Sequence, residues 1–339
     1  MTTNITGITF DKELAEGAYN AVAVCLNLKQ QERVTVITDN DSLEIAASLV
    51  NEIIKIGSEY HIFVLEDYSP RPLKQMPAAI LEDMRRSQVS IFAASAREGE
   101  LKSRIEMTRV VNEQKIRHAH MVNITKQIML EGMRADYHKV DQLSTFLIEK
   151  ARKAGTIRVS SPAGTNIAAE FSPDLKWLKT SGLISAEKWG NLPGGEIFTS
   201  PKSVNGRFVV DGVVGDYLCK KYGDLRSSPL IIDITDSRII KIACRDKELL
   251  NDFTAYTMTD DNSNRVGEFA IGTNIALTHV IGNILQDEKL PGVHMAFGHP
   301  YAEFTGADWR STTHIDCVAA NVSIWLDTEK VMENGKFLF

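Results

Sequence analysis

Short apolar runs alternate with amphipathic segments through the first 130 or so residues, and this alternation narrows the fold more than any other feature. Val34–Thr38, Tyr60–Leu65, Val89–Ala93 and His118–Asn123 read as strands, and Lys12–Leu28, Asp41–Ile56, Pro77–Arg86 and Leu101–Val111 read as the helices between them. A strand that is apolar along its length is buried on both faces, and such strands separated by helices build a parallel sheet covered by helices. Asp41 or Ser42 stands where a side chain can cap the second helix. The chain is therefore expected to open with a doubly wound α/β domain. A long amphipathic helix over Ala135–Ala154 follows, with Gly155 as its stop.

Beyond residue 155 the texture changes. Thr156–Ser160, Asn166–Phe171, Phe208–Val210, Leu230–Thr235, Ile239–Ala243 and Val318–Trp325 are β-rich runs broken by Gly, Pro, Asn and Asp. The expected organisation is an α/β domain over residues 1–154 and a mainly β (α+β) domain over 155–339. A chain of 339 residues is long enough for each to bury a core of its own.

Several function classes drop out at this stage. The formal charge of −6, with no long Lys/Arg run, gives no field for a nucleic-acid backbone. Met1–Glu13 lacks a basic and then apolar leader, and no segment reaches the roughly 18 apolar residues that span a bilayer, so a cytoplasmic protein without a membrane partner is expected. The first domain has no G-x-G-x-x-G and no phosphate-binding G-x-x-x-x-G-K loop, which suggests a scaffold or dimer-forming role for it. Cys25, Cys219, Cys244 and Cys317 form no C-x-x-C pair and read as buried free thiols; Cys317 directly follows a candidate ligand, Asp316.

The chemistry gathers in four segments of the second half: PGGEIFT (193–199), RVGEFAIG (265–272), GVHMAFGHPY (292–301) and THID (313–316). Residues two apart on a strand project from the same face, so His314 and Asp316 make a half-site for a divalent cation while Ile315 enters the opposite layer. Glu196 and Glu268 each follow a glycine and precede apolar β-type residues, where an unpartnered charge is costly to bury. His294 sits between glycines in an apolar run, and a core histidine without a ligand remains its plain reading in isolation.

Taken in order, these segments resemble the aminopeptidase T, aminopeptidase S and PepS family of metallopeptidases, whose pattern has Pro-x-Gly-Glu-[Val/Ile]-Phe-Thr, a later Gly-Glu, a His with Tyr seven positions on, and a late His-x-Asp. The resemblance covers the second half closely and the first half only in its α/β pattern. It implies Glu196, Glu268, His294, His314 and Asp316 as metal ligands and Tyr301 as a catalytic residue, with Glu268 either bridging the metals or taking the proton of water. This chain is a short variant, compressed between Tyr301 and His314, and His299 matches no family role.

The implied activity is removal of the N-terminal residue from peptides by a water held between two divalent ions (zinc, cobalt, manganese or magnesium), with a peptide or small amide as substrate and a homodimer as assembly. Two alternatives stand beside it. One is an iron(II) dioxygenase that opens a hydroxylated pyridine ring, resembling 2,5-dihydroxypyridine dioxygenase; the resemblance places histidine there at the position of Glu268. The other is a pathway-specific amide hydrolase on the same site. Trp177, Trp189, Trp309 and Trp325 are candidates for pocket lining, with packing as their plain reading.

Overall fold

In the computed structural model, which describes residues 3–339, the four apolar runs of the first half become one parallel sheet. Its strands are Glu59–Val64, Arg33–Thr38, Val89–Ala94 and Arg117–Val122, in that spatial order. Val89–Ala94 is buried along its whole length, as a strand flanked by other strands and covered by helices must be. Helices Leu43–Ile56, Ala78–Met84 and Leu101–Gln114 follow the first three strands. The capping differs from expectation. A 3-10 turn, Asn40–Ser42, precedes the Leu43–Ile56 helix, so Asp39 at the end of its strand accepts from the Ser42 N–H at 3.0 Å, and Ser42 makes no side-chain cap.

Residues up to His138, together with Gly182–Gly194, form one compact unit; Lys139–Ser181 with Gly195–Phe339 form a second. The sequence divides the chain at 154/155, whereas in the structure most of helix Tyr137–Ala151 goes with the second unit, because Leu147, Ile148 and Ala151 lie in that unit's core. The excursion at 182–194 adds a fifth strand to the first sheet: Gly190–Asn191 pairs in parallel with Arg117–Val122, and Trp189 packs on the rings of His118 and His120.

The second unit holds two antiparallel sheets. Eight strands make the larger one, including Thr156–Ser160, Asn166–Glu170, Ser203–Val210 and Leu230–Thr235. The smaller has His314–Ala319, Gly292–Gly298, Val266–Gly272, Glu196–Thr199 and Leu178–Thr180 in that order. The run expected as one strand over Val318–Trp325 is two: the chain leaves the smaller sheet at Ala319, turns through Asn321 in the left-handed region (φ 51°), and enters the larger at Ser323.

Alternation decides what each face of the smaller sheet does. Ile197, Phe269, Ile271, Val293, Met295, Phe297, Ile315 and Cys317 point one way and join a single core with Ile157, Val159, Ile167, Phe208 and Ile232 of the larger sheet. Burying each large side chain there contributes about 1.5–3 kcal/mol, so this face supplies the adhesion. The opposite face is freed for chemistry. All four cysteines are buried and unpaired, with Cys317 on the core side, away from Asp316. Among the described residues no helix is long and apolar enough to cross a membrane.

Candidate metal centre

Strand register brings the expected ligands onto that second face. Gly272 pairs with Glu196, Ala270 with His294, Glu268 with Ala296, Ala296 with Asp316, and Gly298 with His314. Directly paired residues share a face, so Glu196, His294, Glu268, Asp316 and His314 step diagonally across four strands. Ala270, Gly272, Ala296 and Gly298 lie between them and leave the floor of the site uncrowded. The two glycines before the glutamates serve close approach: a Cβ on Gly267 would lie 2.2 Å from the Gly298 carbonyl oxygen, and one on Gly195 (φ 130°) would lie 2.8 Å from the Asn274 backbone N.

The side chains meet. His294 Nε2 lies 3.3 Å from Glu268 Oε1 and 3.4 Å from Glu196 Oε2. His314 Nε2 lies 3.4 Å from Asp316 Oδ1 and 3.9 Å from Glu268 Oε2. Glu268 thus turns one oxygen to each histidine. Glu196, Glu268 and His294 offer ligand atoms that all lie within 4.8 Å of one another, and Glu288, His294 and Asp316 do the same.

The arrangement fits a cation on its own terms. His314 Nδ1 lies 2.9 Å from the His299 carbonyl oxygen and so donates to it, which leaves the Nε2 lone pair directed at two carboxylates. A lone pair facing anions is stable only with a proton or a metal ion between them. His294 Nδ1 is buried without a hydrogen-bond partner. Without metal the carboxylates hold protons on both rings against the cost of burial: Glu268 and Glu196 draw His294 up to about 9, and Asp316 and Glu268 draw His314 up to about 10. The same electrostatics favour a divalent ion, and the imidazole and carboxylate donors suit one.

Tyr301 stands beside this cluster. Its ring lies 4.8 Å from that of His314 and 6.1 Å from that of Phe198, centroid to centroid. Burial, reinforced by Glu268, Asp316, Glu288 and Glu196, raises the phenol well above its ordinary pKa, so it is a proton donor.

Two residues escaped the sequence reading. Lys289 is 1% exposed, and its Nζ binds Glu196 Oε1 at 2.7 Å and Glu288 Oε1 at 2.6 Å. Glu196 Oε1 also accepts from Thr180 Oγ1 at 2.6 Å, so one oxygen is anchored and the other faces His294. A signal existed: the charged triplet Asp287-Glu288-Lys289 lies between Ile284-Leu285-Gln286 and Leu290-Pro291, inside a short run with apolar pairs at both ends. Asp287 instead receives the N–H groups of Ile281, Gly282 and Asn283 and closes that loop. The tryptophans make none of the site's contacts. Trp177 packs on Phe171, Trp189 belongs to the first unit, Trp309 lies under Arg265 at 4.3 Å, and Trp325 is flanked by Arg158 and Lys330.

Residues 136–328 match the profile of the thermophilic metalloprotease (M29) family. No curated protein matches the chain. Among solved structures, the chain is similar to wild-type AmpT from Thermus thermophilus at 15% identity and a TM-score of 0.73, covering 98% of this chain and 100% of that one. It is also similar to 2,5-dihydroxypyridine dioxygenase from Pseudomonas putida KT2440 at 14% identity and a TM-score of 0.69, covering 96% of each. At these identities the likeness is one of fold: an N-terminal α/β part and a mainly β C-terminal part.

Proposed function

The chain belongs to the thermophilic metalloprotease (M29) family and is a metal-dependent peptide hydrolase, and on that premise we propose that it is an aminopeptidase working with two divalent ions. The observation that carries this reading is the position of Glu268, a carboxylate with one oxygen toward His294 and the other toward His314. Glu196, Glu268, His294, His314 and Asp316 are the residues that would hold the ions, with Glu268 offering one oxygen toward His294 and Glu196 and the other toward His314 and Asp316.

Divalent ions held there would supply Lewis acidity toward the scissile carbonyl and would bring the pKa of a bound water toward neutrality. The rest falls to side chains. The carboxylates accept the proton that the attacking water releases. Tyr301, kept protonated, donates to the oxygen on which charge develops or to the departing amine. A free α-amino group can be received by a divalent ion or by a carboxylate of the site, whereas an acetylated terminus offers neither interaction, so a substrate with a free amino terminus is favoured over a blocked one.

The fold is shared with a ring-cleaving dioxygenase, so the choice between hydrolysis and ring cleavage rests on side chains. A carboxylate stands at position 268, where the resemblance expects histidine for ring cleavage. Protein loaded with zinc, cobalt, manganese or magnesium is expected to release the N-terminal residue from short peptides and amino-acid anilides. Activity should vanish with chelation, return with metal, and be absent on N-acetylated peptides. Equal cleavage of acetylated peptides would sink the aminopeptidase reading. Oxygen uptake on a hydroxylated pyridine with iron(II), and no hydrolysis with any metal, would replace it with the dioxygenase.

A further inference from the structure

We propose that His299 is a positioning residue: its ring fixes the backbone of Tyr301, and its carbonyl fixes the tautomer of His314. The inference rests on the role assigned above to Tyr301. Tyr301 has φ 49°, in the left-handed region that a bulky side chain rarely adopts. Its N–H donates to His299 Nδ1 at 3.0 Å. That bond makes Nδ1 an acceptor and places the His299 proton on Nε2.

The backbone polar groups of His299 are committed at the same point. Its N–H donates to the Thr313 carbonyl at 2.6 Å, which ties the Tyr301 turn to the strand that begins at His314. Its carbonyl accepts His314 Nδ1–H at 2.9 Å. From Tyr301 the chain turns directly into the short helix Ala302–Thr305, and the Tyr301 carbonyl accepts the N–H groups of Phe304 and Thr305, each at 2.8 Å. Backbone bonds therefore hold the far side of Tyr301, and the imidazole of His299 holds the near side. The two rings meet edge to face at 5.6 Å.

A side-chain acceptor that captures the N–H two residues on is the chemistry of an Asx turn. Asparagine at 299 can therefore reproduce the bond with less bulk, and leucine keeps bulk without the acceptor. If the hydrogen bond is what matters, His299→Asn outperforms His299→Leu; if packing matters, the order reverses. His299→Leu is expected to lower kcat by about 10- to 100-fold, the scale of a misplaced group near the reacting atoms. KM should stay within about threefold and metal content should be unchanged, since the carbonyl that orients His314 remains. His299→Asn is expected within about threefold of wild type.

Steady-state kinetics on an amino-acid anilide, metal analysis, and crystal structures of both variants make the test. A His299→Leu enzyme as active as wild type, or a His299→Asn enzyme as impaired as His299→Leu, overturns the proposal. Tyr301→Phe with full activity would instead show that the assigned role of Tyr301 has failed. The crystal structures then decide the positioning claim: a His299→Leu structure with Tyr301 still left-handed over His314 overturns it, and one with Tyr301 displaced supports it.

Discussion

Glu268→Gln is expected to reduce kcat/KM by about a thousandfold or more, a loss of about 4 kcal/mol of transition-state stabilisation. The substitution keeps size and one acceptor oxygen, so the packing around position 268 is preserved. Glu268 is 5% exposed and shares its surroundings with Glu196, Glu288 and Asp316. In the metal-free protein Glu268 both repels its carboxylate neighbours and helps to hold protons on His294 and His314, so the substitution changes two opposing contributions at once. The upward shift of thermal unfolding on adding metal should largely disappear in Glu268→Gln. A variant that hydrolyses peptides at the wild-type rate would show that the site has been assigned wrongly. Loss of activity with an intact metal-dependent shift would confine Glu268 to proton transfer.

Lys289→Met is expected to have the largest effect on stability. The ammonium is buried between two carboxylates at 2.6 and 2.7 Å, and removing it takes that partner from Glu288 and leaves Glu196 with Thr180 and His294 alone. Such losses run to about 3–5 kcal/mol. Denaturant unfolding of the metal-free variant would show the deficit as a lower midpoint. Adding Glu288→Gln to Lys289→Met should recover part of it, because one of the two carboxylates that lost the ammonium is then uncharged. A Lys289→Met protein within about 0.5 kcal/mol of wild type would mean that water reaches the pair and that the burial is not functional.

Legibility in the sequence followed physical scale. Each ligand drew notice by standing beside glycine or apolar β-type residues, but a single motif of that kind is weak, and the resemblance of the four segments in order is what joined the five residues. The parallel sheet was legible because its strands, most clearly Arg33–Thr38 and Val89–Ala94, are short runs rich in apolar and β-branched residues and alternate with helical segments. Gly190–Asn191 was not legible: two residues carry no period, and their strand neighbour, Ala119–His120, lies some seventy positions earlier. The break at Asn321 was hidden because apolar residues flank it on both sides, and only the backbone turn separates two sheets. Lys289 was missed because charge usually signals solvent, and here a second charge does the solvating. Tyr301 was located by the family resemblance, whereas the bond from its N–H to His299 depends on a left-handed turn that the resemblance does not reveal.

The most direct test of the account is anomalous diffraction from a crystal soaked in zinc or manganese. The account predicts two ions on the same face of the five-stranded sheet, one bound by Glu196 and His294 and the other by His314 and Asp316, with Glu268 reaching both. Ions bound elsewhere, or a single ion that leaves Glu196 and Glu268 without contact, would contradict it.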